Sequence, residues 1–239
     1  MSVFRFKQFA VCQDHAAMKV GTDGCILGAL ARGGRRVLDI GTGTGLLALM
    51  MAQRFVEADV VAVEIDADAA RDAKTNFEAS PWSDRLKLVQ GTFQTFCEQW
   101  TGKPAFGSIV CNPPYFNRSL ECEDLGRNRA RHTSSLSYVE LICGAKKMLT
   151  PEGVFSVILP AESETEFVVA CESNDFHLQT KYDIRTVPRK PVKRVVMSFV
   201  LHEVDQTTTS SVCVRNPDNS YSDWYAGIMD EFLLYIPKP

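Results

Sequence analysis

Asn112, Pro113, Pro114 and Tyr115 follow directly on an apolar run, Phe106 to Cys111, of the kind that forms a buried strand. Neither proline has an N–H to give to a sheet ladder, so the strand must end here in a stiff turn. That turn holds a side-chain amide and an aromatic ring in a preset arrangement. An amide oxygen and a flat apolar face can hold a planar polar partner. The four residues would equally suit a plain strand-ending turn, so the surrounding elements decide.

A second stretch with chemical potential lies upstream. Val37-Leu38-Asp39-Ile40 runs into Gly41-Thr42-Gly43-Thr44-Gly45 and then into a helical pattern. Glycines let the backbone turn sharply and approach a ligand, and the helix N-terminus offers free N–H groups. A dinucleotide fingerprint would place its third glycine at position 46, where this chain has Leu46. About twenty residues further on, the apolar run VVAVEID ends in Glu64, a carboxylate placed to accept hydrogen bonds from both hydroxyls of a ribose. Asp66 competes for that role, or serves only as an N-cap.

The elements that must position these groups alternate. Strands are expected at Arg36–Ile40, Val60–Ile65, Leu86–Val89, Gly107–Cys111 and Val154–Leu159, several of them continuous apolar runs suited to parallel strands covered on both faces. Helices are expected at Thr44 to Phe55, at Ala67 to Phe77 with Ala69, Ala70, Ala73 and Phe77 on one stripe, and at Ser137 to Leu149, stopped by Pro151-Glu152-Gly153. This alternation reads as a doubly wound α/β sheet. Leu178–Val187 and Val195–Val204 form a hairpin with the basic tip PRKPVKR, and Asp205 to Ser211 reads as a polar connection. Asp223 to Ile236 is expected to be helical before an extended end.

The D-x-G-x-G-x-G form resembles the first motif of Rossmann-like class I methyltransferases that use S-adenosyl-L-methionine. The resemblance implies a mostly parallel seven-stranded sheet with a C-terminal antiparallel hairpin. It also implies that Gly41, Thr42, Gly43 and Gly45 pass around the methionine portion of the cofactor. Asp39 would contact its amino group, Glu64 the ribose, and Ile65 the adenine. Members of this class often carry an acidic residue for the adenine amino group after the third strand. Here the sequence is Gln90-Gly91-Thr92-Phe93, without a carboxylate, leaving Thr92, Phe93 and the adjacent backbone as candidates.

N-P-P-Y in turn resembles the motif of methyltransferases that alkylate a planar amino group, either of a nucleobase or of a glutamine amide. Such a nitrogen has a delocalised lone pair and is a poor nucleophile. The Asn112 side-chain oxygen and the Pro113 carbonyl can each accept one N–H bond. That aims the lone pair at the methyl carbon and favours a tetrahedral nitrogen. Pro114 helps to fix the turn, and Tyr115 offers a stacking face. No strong general base is needed, because the nitrogen becomes acidic only once methylated.

Phe6-Lys7-Gln8-Phe9 and Met18-Lys19-Val20-Gly21-Thr22-Asp23-Gly24 closely resemble the N-terminal signature of bacterial tRNA1(Val) (adenine-37) N(6)-methyltransferases. The resemblance continues through the glycine loop, N-P-P-Y, the P-x-K-R hairpin and the aromatic C-terminus. It implies methylation of adenine 37 in the anticodon loop of a valine tRNA, a site where a base can splay out without melting a duplex. It also implies that the lead-in, with Thr22 and Asp23, folds over the methionine end of the cofactor. Thr22 or Asp23 could instead cap the following helix. Arg127, Arg129 and Arg131, with Arg189, Lys190, Lys193 and Arg194 on the hairpin, are candidates for RNA phosphates. Arg185, and Arg5 with Lys7, add to these clusters.

The bulk numbers are compatible. The chain has 239 residues, a hydrophobic fraction of 45%, a charged fraction of 23% and a net charge of -3, so any nucleic-acid contact must be local. We expect one domain, with residues 1–34 as an extension over the cofactor site, 35–204 as the catalytic core and 205–239 as a C-terminal segment. No run is long enough to span a membrane, and no signal peptide is recognisable, which points to a cytoplasmic protein. The eight cysteines form no C-x-x-C pair and read as small core residues, with no metal expected. Rival readings are a glutamine N(5)-methyltransferase of translation factors, a guanine or rRNA amine methyltransferase, and a non-catalytic dinucleotide-binding module. Fewer than forty residues before the first core strand argue against the first, and Leu46 argues against the last.

Overall fold

A computed structural model of the chain describes residues 2–113 and 136–235; Pro114, Tyr115, Arg127, Arg129 and Arg131 lie outside the described residues. Short strands β1 (Val3–Arg5) and β2 (Ala10–Cys12) pair as a separate antiparallel hairpin. The central sheet is built from β3 (Arg36–Ile40), β4 (Asp59–Glu64), β5 (Leu86–Gln90), β6 (Phe106–Cys111), β7 (Leu149–Pro160), β8 (His177–Arg185), β9 (Arg194–Val200) and β10 (Thr208–Cys213). Its order is β10-β8-β9-β7-β6-β3-β4-β5. The strands from β7 through β6, β3 and β4 to β5 run parallel, whereas β9 is antiparallel to both β7 and β8.

Helices flank the sheet: α1 (Thr22–Leu30), α2 (Leu46–Arg54), α3 (Ala67–Glu78), α4 (Phe93–Gln99), α5 (Tyr138–Met148), α6 (Glu164–Glu172) and α7 (Asp223–Met229). They divide into two apolar layers. One joins Ile26 and Leu27 of α1, Met50 of α2, Phe77 of α3 and Met229 of α7; the other joins Phe93 of α4, Leu141 of α5 and Phe167 of α6. Seven residues of α2, Leu46 to Ala52, are all buried, which explains a helix apolar on every side. In the second layer Phe155, Phe167, Phe176 and Phe199 are fully buried, each contributing roughly 1.5–3 kcal/mol of burial free energy. No helix among the described residues is long and apolar enough to cross a membrane.

Two local expectations are corrected. The Thr/Ser-rich stretch after residue 205 is not simply a connection: Thr208–Cys213 forms β10, an eighth strand parallel to β8. Its β-branched threonines suit a pleated edge, and β8 has an open edge to extend. Pro151-Glu152-Gly153 lies inside β7 rather than between elements. The register there jumps from Phe106↔Leu149 to Ser108↔Val154, so a bulge accommodates the proline that cannot donate to the ladder.

Candidate active site

The register brings the functional stretches to one edge. Ile40 pairs with Val63 on one side and with Cys111 on the other, while Glu64 pairs with Gln90. The glycine loop, Glu64, Gly91 and Asn112 therefore leave the sheet at adjacent C-terminal strand ends. Strand order reverses at β3, whose neighbours are β4 and β6, so this is the switch point where open α/β sheets bind ligands. A cavity of about 320 Å³ opens there, lined by Gly41, Gly43, Glu64, Ile65, Thr92, Phe93 and Asn112, among others.

The glycine loop has its shape for identifiable reasons. Gly41, Gly43 and Gly45 have φ of +70°, +57° and +84°, which other residues rarely adopt. A side chain on Gly43 would meet no atom within 4 Å and would stand in open space, whereas one on Gly45 would strike the Phe77 ring at 2.4 Å. Asp39 holds the loop from beneath. Its Oδ2 accepts hydrogen bonds from the Thr42 hydroxyl and from the Ala48 N–H at 3.1 Å, while Oδ1 is buried without a partner among the described residues. Burial pushes the Asp39 carboxyl up to about 7; the Thr42 and Ala48 bonds oppose the rise, and the nearby charge of Glu64 adds to it.

Glu64 is fixed by two backbone donors. The N–H of Gly43 donates to Oε2 at 2.7 Å and that of Asp66 to Oε1 at 2.8 Å. Each oxygen keeps a further lone pair for a ligand hydroxyl at the cavity wall. Asp66 also lines the cavity, but its side chain caps α3 by accepting the Ala69 N–H at 2.7 Å. Of the two alternatives, Glu64 is the one whose carboxylate is set at the strand end. Ile65 is half exposed beside it, an apolar surface of the kind a base can pack against.

Asn112 lines the same cavity, and its Oδ1 is buried with no hydrogen-bond partner among the described residues. A buried acceptor of this kind is costly to leave unmade, which makes it a ready site for a ligand N–H. Pro113 is buried directly after it.

Other expected residues are placed differently. Thr92 lines the cavity, yet its hydroxyl is used in capping α4, where it accepts the Thr95 N–H at 3.0 Å. Gln94, two residues on, also lines the cavity, and nothing in the sequence pattern singled it out. Asp39, Thr42 and Gly45 support the loop from outside the lining. Thr22 and Asp23 do not line the cavity either, and neither caps α1: the N-cap is Gly21, without a side-chain bond. Asp23 instead accepts a hydrogen bond from Arg194 Nε at 2.8 Å, an ion pair with both side chains mostly buried. The lead-in does reach the site, through Ala16, Ala17 and Met18.

On the hairpin tip, Arg189, Lys190 and Lys193 are exposed. Arg194 pairs across the sheet with Pro160 at the end of β7, so the tip projects from the same sheet edge as Asn112. Arg194 itself is committed to Asp23. Lys7 pairs with Asp230 and thereby ties the first hairpin to the C-terminal segment.

A crevice at the switch point, a glycine cradle open to it and a strand-end carboxylate define a class I methyltransferase. Solved structures agree on the fold. An Agrobacterium tumefaciens protein described as a predicted O-methyltransferase superposes with a TM-score of 0.70 at 19% identity, covering 91% of this chain and 100% of that one. Pyrococcus horikoshii TYW2 in complex with MeSAdo superposes with a TM-score of 0.57 at 15% identity, covering 83% of this chain and 70% of that one. The family model "methyltransferase small domain" matches residues 21–181. Relatives named tRNA1(Val) (adenine(37)-N6)-methyltransferase share 45% identity in Phocaeicola vulgatus and 41% in Bacteroides fragilis, each alignment covering 97% of both chains. The chain belongs to the tRNA1(Val) (adenine(37)-N6)-methyltransferase family within the S-adenosylmethionine-dependent methyltransferases.

Proposed function

We propose that this chain transfers a methyl group from S-adenosyl-L-methionine to the N(6) amine of adenine 37 in a valine tRNA, and that it does so in the cytoplasm, where tRNA is found. The observation that carries the reading is the unpartnered, buried Oδ1 of Asn112 in the same cavity as the fixed Glu64 carboxylate. The residues present fit the cofactor. Glu64 would hold the ribose hydroxyls, Ile65 would pack on the adenine, and Gly41 and Gly43 would leave the backbone open to the methionine portion. The unpartnered Asp39 Oδ1 beneath the loop is an acceptor suited to the amino group. When bound, S-adenosylmethionine supplies an electrophilic methyl group on a sulfonium.

The protein's part is positioning. Asn112 Oδ1 accepts one N–H of the adenine amine, and the Pro113 carbonyl accepts the other, so the lone pair points into the cavity. Tyr115 supplies the stacking face for the flipped base. The exposed Arg189, Lys190 and Lys193 meet phosphates flanking it, with Arg127, Arg129 and Arg131 contributing from the segment after the turn.

The test incubates the protein with methyl-labelled S-adenosylmethionine and separate pools of tRNA, rRNA and protein extract, and identifies the labelled nucleoside. N(6)-methyladenosine confined to one tRNA is expected; label in protein glutamine would overturn the reading. Asn112→Ala should lower kcat about 10²–10³-fold, as when one transition-state hydrogen-bonding group is removed, with the dissociation constant for S-adenosylmethionine unchanged within about twofold.

A further inference from the structure

Helix α3 carries two buried polar side chains that its own folding does not require. Asp72 and Asn76, one helical turn apart, are 2% and 3% exposed on the face that otherwise consists of alanines and Phe77. Buried polar groups are kept where they are satisfied, so their partners reveal their purpose. Among the described residues, every hydrogen bond to the Asp72 side chain comes from the lead-in. The N–H groups of His15 and Ala16 each donate to its Oδ2 at 2.9 Å, and His15 Nδ1 lies 2.7 Å from its Oδ1. Asn76 bonds both backbone groups of Cys12, at 2.7 and 2.9 Å, and its amide also donates to the Thr44 carbonyl of the glycine loop at 2.8 Å.

After Cys12 the chain forms an irregular strap, residues 13–20, closed on itself where Gln13 Oε1 accepts the Val20 N–H at 2.7 Å. Its middle, Ala16 to Met18, lines the cavity. We infer that Asp72 and Asn76 are positioning residues for cofactor binding: α3 staples the strap over the cavity and fixes its base to the glycine loop, so that one helix sets the spacing of two cavity walls. The inference rests on the reading that this cavity holds S-adenosylmethionine. Were the strap to lift, all three bonds to Asp72 would be exchanged for water.

The test measures S-adenosylmethionine affinity and turnover in the full-length protein, alongside tryptic cleavage after Lys19, an exposed strap residue. In the wild type, S-adenosylhomocysteine should slow cleavage at Lys19. Asp72→Asn should raise the dissociation constant for S-adenosylmethionine about tenfold while leaving kcat at saturation within about twofold, and should speed cleavage at Lys19. His15→Ala, at a half-exposed side chain, removes one of the three bonds and should raise the constant about two- to threefold. It serves if Asp72→Asn does not fold. Unchanged affinity and unchanged Lys19 protection in these variants, even with a lowered Tm, would overturn the inference. If the wild type binds no S-adenosylmethionine at all, it is the underlying functional reading that fails.

Discussion

The glycine loop and the strap line one cavity and are built in opposite ways. The loop is shaped from within: positive φ at three glycines and an Asp39 carboxylate within nine residues hold it. The strap has no regular structure; besides its own Gln13–Val20 bond and bonds to Ser2, it is held by Asp72, fifty-six or more residues away in sequence. Glycine conformation and short-range bonds shape the loop from within, whereas the strap takes much of its support from α3. The difference teaches that a cofactor site can combine a wall written into a motif with a wall borrowed from a distant helix.

Breaking the loop should have the largest effect. Gly45→Ala forces a Cβ into a left-handed conformation and against the Phe77 ring, and should destabilise the protein by roughly 2–4 kcal/mol, measured by urea denaturation. No substitution at the exposed strap residues Ala17 or Met18 should approach that.

Glu64 links the two regions, bonded to the loop through Gly43 and to the turn into α3 through Asp66. Glu64→Ala should weaken S-adenosylmethionine binding about 10–100-fold by isothermal titration, more than the loss of a strap anchor, because in the proposed role its carboxylate holds the ribose directly.

The smallest effect sharpens the account of the loop floor. Burial is the chief reason the Asp39 carboxyl is pushed up to about 7 in the folded protein, from an ordinary value of 3.8. Its contribution to stability is therefore fully present below the unfolded value and is lost as pH rises through about 7. The wild type should lose stability relative to Asp39→Asn across that window, and denaturation midpoints at pH 5 and pH 8 would show it. A constant difference between the two proteins would mean that Asp39 stays ionised.

Much of this was legible in the sequence because it is local. The parallel core strands announced themselves as continuous apolar runs, the glycine loop as a strand followed by G-x-G-x-G, and Glu64 by its distance from that loop. Ser137 capping α5 with Glu140, in a reciprocal capping box, marks the start of a helix expected from Ser137 onward. The misreadings have a common cause. Thr208–Cys213 looked like a polar linker because edge pairing with β8 is not a property of the stretch itself. Thr22 and Asp23 suited a helix cap by type and position, yet Gly21 is the N-cap and Asp23 meets Arg194, 171 positions away. Asp72 and Asn76 drew no notice, because on a helix stripe of alanines a polar residue reads as solvent-facing.

By itself, then, the sequence determined the order of the elements, the chemistry of the loop and turn, and the family they belong to. Periodicity, glycine conformation and proline's missing N–H act within a few residues and need no partner. Only the tertiary structure decided which carboxylate faces the cavity, which basic residues stay exposed, and how the lead-in comes to wall the site. Those outcomes depend on burial and on hydrogen bonds between segments far apart in the chain, and neither exists until the sheet brings the segments together.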